Sequence, residues 1–170
     1  MSDILAEEPQ DSTGIEFIGF WKRFIAYIID GIIMTALIFL LAPKGNLMEA
    51  LNSDGLDMSL VTAASEDFAP VSLAVTLVYL VGLWAWRQAT LGLMIFGARI
   101  ADAATYEKPG IDKLLRRVIL FVLPGALTFV SQGLGSAANL LFIISCIWVA
   151  IDERKQGLHD KIGGTVMIRK

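Results

Sequence analysis

The stretch FIGFWKRFIAYIIDGIIMTALIFLLA, residues Phe17 to Ala42, decides the fold class. From Phe24 to Ala42, nineteen residues carry one charge, Asp30. As a helix rising about 1.5 Å per residue, they can cross a hydrocarbon core of roughly 30 Å. Asp30 then lies at lipid depth, where an ionised carboxylate costs about 2.5 to 3.5 kcal/mol on insertion scales. It must face protein or water, be paired, or be protonated. Arg23 precedes it by seven residues, about two turns, which puts both side chains on one face where they could share a site. Phe17, Phe20, Trp21 and Phe24 surround Lys22 and Arg23, an arrangement of rings and cations suited to the headgroup layer.

The whole chain agrees with this opening. It has 170 residues, 55% of them apolar, and a mean hydropathy of +0.63, which is too apolar for a soluble globule of one domain. The bilayer is the expected partner, and no nucleic acid is expected. A net charge of −3 decides nothing further. The single cysteine, Cys146, excludes an intrachain disulfide and reads as a small membrane-buried side chain. With only His159 besides it, neither a transition-metal site within one chain nor any other cofactor is expected. Residues 1–16 are acidic and polar at the start and lack the regions of a secretory signal. They read as a disordered cytosolic tail before a transmembrane domain over 17–170.

Beyond the first span, about 24–42, Pro43 and Gly45 mark its end. Residues 44–67 then set one basic residue, Lys44, against Glu49, Asp54, Asp57, Glu66 and Asp67, as in an external loop. Asn52 to Gly55 favour irregular structure there over a short helix at Leu47 to Leu51. A second span is expected over 68–86, with Pro70 in its first turn and Trp84, Trp86 and Arg87 at its exit. Arg87, Arg99, Lys108, Lys113, Arg116 and Arg117 make the next loop cytoplasmic. Within it, LGLMIFG at 91–97 is too short to span and reads as re-entrant or interfacial. ARIADA at 98–103 and GTVMIRK at the C-terminus alternate as strands do; if they pair, they form a small cytoplasmic β-ribbon leaning on the membrane-facing surface.

Val118 to Ile151 are uncharged and would make a single helix of about 51 Å, too long for one crossing. SQGLGSAAN at 131–139 offers a turn at Gly133 and Gly135, giving spans over about 112–130 and 137–151. Two crossings return the basic tail of Arg154, Lys155, Lys161, Arg169 and Lys170 to the side of Arg117 and put all four tryptophans at cytoplasmic ends. The alternative is a re-entrant hairpin. The expectation is an all-α integral membrane protein: a four-helix transmembrane bundle in the cell membrane, with both termini cytoplasmic.

Three segments, GFWKRFIAYIID, ATLGLMIFGARIAD and DERKQGLHDKIGGTVMI, resemble in that order the segments of the RDD family of membrane proteins, over residues 17 to 168. The family is named for one arginine and two aspartates. Arg23 and Asp30 match the pair in the first helix, and Asp160 is taken as the third residue with Asp152 as its alternative. Leu93 departs from the lysine or arginine that commonly follows TLG. The resemblance implies membership of a family suspected of transport, with members associated with exchange of sodium or other monovalent cations for protons.

The residues leave two roles for Asp30. It is a carrier exchanging a proton for a cation, or a structural carboxylate held by Arg23 or by neighbouring helices. Arg23 either pairs with an acid or anchors to lipid. Asp152, His159 and Asp160 follow the last span and lie within reach of Arg23, where a network would fix the tail over the bundle or gate access to Asp30. His159 either senses pH or is a hydrogen-bonded structural residue. No Walker motif, nucleophile elbow or HExxH occurs, and no enzyme activity is expected. Two functions follow. One is a small exchanger of monovalent cations for protons, which with so few helices implies a homo-oligomer. The other is a non-transporting module that assembles with itself or a membrane partner. A polar cavity reaching Asp30 favours the first; an Asp30 sealed in a dry interface favours the second.

Overall fold

A computed structural model describes residues 14–52, 57–128 and 130–169. Residues 1–13, the bulk of the expected tail, lie outside them. Glu16 is already part of the fold, because its carbonyl accepts from the Arg169 amide at 3.0 Å and Phe17 pairs with Ile168. The first helix, α1, spans Phe20–Leu41. Its buried residues are Arg23, Ala26 and Asp30, three and four apart, so one narrow stripe faces protein. Ile25, Ile28, Ile32 and Leu40 are exposed around it, as on a helix whose solvent is lipid.

Gly45–Asn52 form a helix, α2, where irregular chain was expected. The next helix, α3, starts at Met58 and runs to Leu77, ten residues ahead of the expected start at Phe68. Asp57 causes the early start: its carboxylate accepts from the Ser59 amide at 2.8 Å, satisfying a first-turn donor. Pro70 consequently lies inside α3 rather than in a first turn. A wide π-type turn at Val78–Gly82 leads into α4, Leu83–Arg87. Gln88 then takes a left-handed conformation, and the chain folds back as the short helix α5, Leu91–Ile95. Trp86 is exposed, but Trp84 is 1% exposed, so Trp84 is a core residue and not the interfacial anchor expected of it.

The two expected strands pair. β1, Ala98–Asp102, and β2, Thr165–Arg169, are antiparallel with Ile100 opposite Met167. Both faces of this ribbon are covered. Ile100 and Met167 join Trp84, Leu93 and Leu114 in the main core, while Ala101, Val166 and Ile168 pack with Phe17 on the other side. That burial is what a two-stranded ribbon needs to persist.

Between the strands come α6, Ile111–Thr128, α7, Gln132–Ile151, and α8, Leu158–Gly163. The break between α6 and α7 is earlier than expected. The amides of Val130 and Ser131 both bond the Leu127 carbonyl at 3.0 Å, while Gly133 and Gly135 lie in the first turns of α7. Three helical stretches, Phe20–Leu41, Phe68–Ile95 and Gln132–Ile151, are long and apolar enough to cross a membrane. The expected third span, α6, is not one of them, because Asp112, Lys113, Arg116 and Arg117 occupy its first two turns. Among the described residues the protein is mostly helical, with three candidate membrane-spanning helices and a small two-stranded sheet.

Candidate functional site

Four of the five sequence-predicted polar residues, Arg23, Asp160, His159 and Asp30, fall into two separate centres. In the first, at the ribbon end, Arg23 of α1 donates from Nη1 to Oδ2 of Asp160 at 2.5 Å and from Nε to the Ile18 carbonyl at 2.8 Å. Arg117 of α6 donates to the other carboxylate oxygen, Oδ1, and at 2.7 Å to the Thr165 hydroxyl of β2. One carboxylate thus ties α1, α6 and the α8–β2 tail together. Arg23 is 1% exposed, and Arg117 and Asp160 are fully buried. Asp160 is also positioned by its own helix, since as the third residue of α8 it accepts from the Gly157 amide at 3.0 Å, the return half of a capping box. A Cβ on Gly163 would stand 2.9 Å from the Lys113 carbonyl oxygen, so glycine there lets α8 lie directly on α6.

Two guanidiniums face one carboxylate. Arg23 Nη2 and Arg117 Nε and Nη2 have no hydrogen-bond partner among the described residues. The Arg117 guanidinium instead lies over the Trp84 ring, 5.0 Å from its centroid, where the ring's negative face substitutes for an acceptor. The excess positive charge acts on both titratable neighbours. Burial would raise the Asp160 pKa, but Arg117 and Arg23 outweigh it and hold the carboxyl below the usual range. For His159, burial and the two arginines push the pKa down to about 3, against the opposing pull of Asp160. His159 is therefore neutral near pH 7. Its Nδ1 lies 3.0 Å from the Ser145 hydroxyl, its Nε2 lies 3.2 Å from the Tyr27 hydroxyl, and the rings of Tyr27, Phe121 and Phe142 surround it.

The second centre is Asp30, which does not meet Arg23. Its Oδ1 accepts from the Tyr79 hydroxyl at 2.7 Å and from the Gly92 amide at 2.8 Å, and its Oδ2 accepts from the Thr90 hydroxyl at 2.5 Å. The Thr90 oxygen in turn caps α5 by accepting from the Leu93 amide. Asp30 therefore anchors the first turn of α5 to α1. Gly92 allows the approach: a Cβ there would be 2.3 Å from the Ala26 carbonyl oxygen. With Asp30 3% exposed and held by three donors, this is a sealed carboxylate. Leu93, at the place of the family's usual cation, is buried in the adjoining core.

Asp152 stands apart from both centres. It pairs with Lys161 and accepts from the Gln156 amide at 3.0 Å, fixing the loop before α8. Burial would raise its pKa, and the Lys161 bond and charge together with the backbone amides of Gln156 and Arg154 outweigh this, lowering it. Of the two aspartates considered as partners for Arg23, only Asp160 meets it. The sequence reading missed Arg117, Thr165, Tyr79 and Thr90. Arg117 carried a signal: with Leu114, Val118 and Phe121 it occupies helical spacing on the apolar face of α6, unlike Arg116 beside it. Among the described residues no group of three or more His, Cys, Asp and Glu could hold a metal ion.

Residues 17–164 match the RDD family. An uncharacterized protein of Rickettsia prowazekii is 26% identical over 91 residues, 54% of this chain and 42% of its own length. Two Bacillus subtilis proteins match over most of both chains. The uncharacterized membrane protein YteJ is 22% identical over 99% of this chain and 91% of its own, and the uncharacterized protein YxaI is 28% identical over 89% and 97%. No solved structure matches the chain.

Proposed function

Because the chain belongs to the RDD family of membrane proteins, we propose that it is a non-transporting membrane module, assembling with itself or with a membrane partner. In this reading its buried charges hold a folded cap onto the helices and do not carry ions or take part in catalysis. One observation carries the proposal: Asp30, 3% exposed, accepts hydrogen bonds from Tyr79, Thr90 and Gly92. A carrier carboxylate must exchange ligands with water; both oxygens of this one are held by donors that belong to the fold.

The topology we propose has four crossings, with α6 as the third despite its charged start. β1 and β2 are paired, so α6 must leave the ribbon end and α7 must return to it. At about 1.5 Å per residue the two helices are about 27 and 30 Å long, which matches one bilayer each. The four charges of α6 then sit in the headgroup layer beside Lys22 and Arg87. The ribbon and both termini face the cytoplasm of the cell, on the positive-inside rule.

The test is cation-dependent proton movement in proteoliposomes. Wild type and Asp30→Asn should both match protein-free liposomes when sodium, potassium or lithium is added. Exchange by the wild type that Asp30→Asn abolishes, with the variant still folded, would restore the exchanger reading.

A further inference from the structure

A cleft of about 670 Å³ lies between α3 and α6, lined among others by Glu66, Phe68, Ser72, Phe121, Gly125 and Thr128. This is within the range of small-molecule sites, roughly 300 to 1,000 Å³. It reaches neither Asp30 nor Arg23. Phe121 closes its inner side, with the far face of that ring packed against Trp84, Phe142 and His159 at centroid distances of 5.6, 5.0 and 5.2 Å. The cleft is therefore a compartment of its own.

Its chemistry is one-sided. Among the described residues Glu66 is the one charged residue in the lining, beside the neutral polar Thr62, Thr76 and Gln132. The Ser72 hydroxyl donates to the Ala69 carbonyl and the Thr128 hydroxyl to the Pro124 carbonyl, both at 2.8 Å. Their protons are spent on the helix backbone, so they offer the cleft oxygen lone pairs. Glu66 with these two oxygens favours a ligand that brings a donor and a positive charge. An inorganic cation would leave Phe68, Leu73, Phe121 and Val122 of this wall without a partner, whereas an organic cation has a hydrocarbon body to set against them. A lipid tail would leave the acceptors without partners, at a cost.

The geometry points to a binding site for an alkylammonium ion, with its nitrogen at Glu66 and its hydrocarbon body against Phe68 and Phe121, the rings adding a cation–π attraction. The site is independent of whether the protein transports. Gly125 supplies a means of closing it, since a Cβ at that position meets nothing within 4 Å. Leucine there would fill the cleft while favouring the helix by up to about 1 kcal/mol over glycine.

The experiment is isothermal titration of the full-length protein in phosphatidylcholine nanodiscs with decylammonium, decyl sulfate and sodium chloride. Decylammonium should bind saturably and decyl sulfate should not. Glu66→Gln should weaken binding at least tenfold, and Gly125→Leu should abolish it. Thermal unfolding of each variant without ligand reports whether it is folded, and Glu66→Gln carries the test alone if Gly125→Leu is not. Uptake that fails to saturate, equal binding of the sulfate, or indifference to Glu66→Gln means partitioning into lipid and overturns the site. Heats reproduced by sodium alone would assign an inorganic cation and overturn it equally.

Discussion

The Thr90 hydroxyl donates to Oδ2 of Asp30 at 2.5 Å, and this bond turns a buried carboxylate of α1 into the fastening of the short helix α5. Thr90 is the N-cap of α5 and Gly92 lies in its first turn, so Asp30 reaches across from α1 to complete the helix end. Asp30→Asn keeps the size but presents an amide to one of three donors. It should destabilise the protein by about 1 to 3 kcal/mol, and Thr90→Val by a similar amount. Thermal unfolding in detergent reads both. No loss of stability in Asp30→Asn would contradict the fastening.

Gly92→Ala should be as damaging, because its Cβ cannot coexist with the Ala26 carbonyl. We expect a loss of about 1 to 3 kcal/mol from overpacking. Gly31→Ala, one residue beyond Asp30 and open to surrounding space, should be neutral or stabilising, and it controls for helix propensity.

The His159 pKa falls from 6.5 to about 3 on folding. Between these values the unfolded chain holds a proton that the folded one lacks, so stability falls as pH drops through that window. Asp160, with its folded pKa below the ordinary range, contributes stability that is present above its unfolded pKa near 3.8 and lost on further acidification. Melting temperatures measured from pH 7.5 to pH 4.5 should therefore decline. His159→Gln should flatten the decline over this range, since Asp160 titrates below it. An unchanged slope would mean that His159 is not held neutral.

The proposed four crossings put residues 131 and 107 on opposite sides. With Cys146→Ala as background, Ser131→Cys should react with an impermeant maleimide added outside intact cells, and Glu107→Cys should react only after lysis. Protection of both until lysis would favour the re-entrant hairpin.

Much of this was legible beforehand, and the gaps have physical causes. Charge-free runs and turn residues marked the long helices, and period-two alternation marked Ala98–Asp102 and Thr165–Arg169. Local bonds governed what was lost. Asp57 started α3 early through a side-chain bond that composition does not display, and the backbone turned at Val130 and Ser131, bonding the Leu127 carbonyl, ahead of the glycines that seemed to break it. At the site, seven-residue spacing put Arg23 and Asp30 on one face, and that was correct. Spacing along one helix could not reveal that α5 would take Asp30 while Asp160 took Arg23, because those partners are 62 and 137 residues away in the chain. Arg117 hid among the basic residues of the positive-inside rule, though its apolar neighbours at helical spacing distinguished it.

Arg23 and Asp160 lock the ribbon cap onto the helices, and a double-mutant cycle tests this lock most directly. Asp160→Ala should cost about 3 to 5 kcal/mol, since it strands the buried Arg23 and Arg117, and Arg23→Ala should cost less, since Arg117 still pairs with Asp160. The double variant should cost less than their sum by about 1 to 3 kcal/mol, read as unfolding free energy of the full-length protein in detergent. Additivity within about 0.5 kcal/mol would contradict the lock.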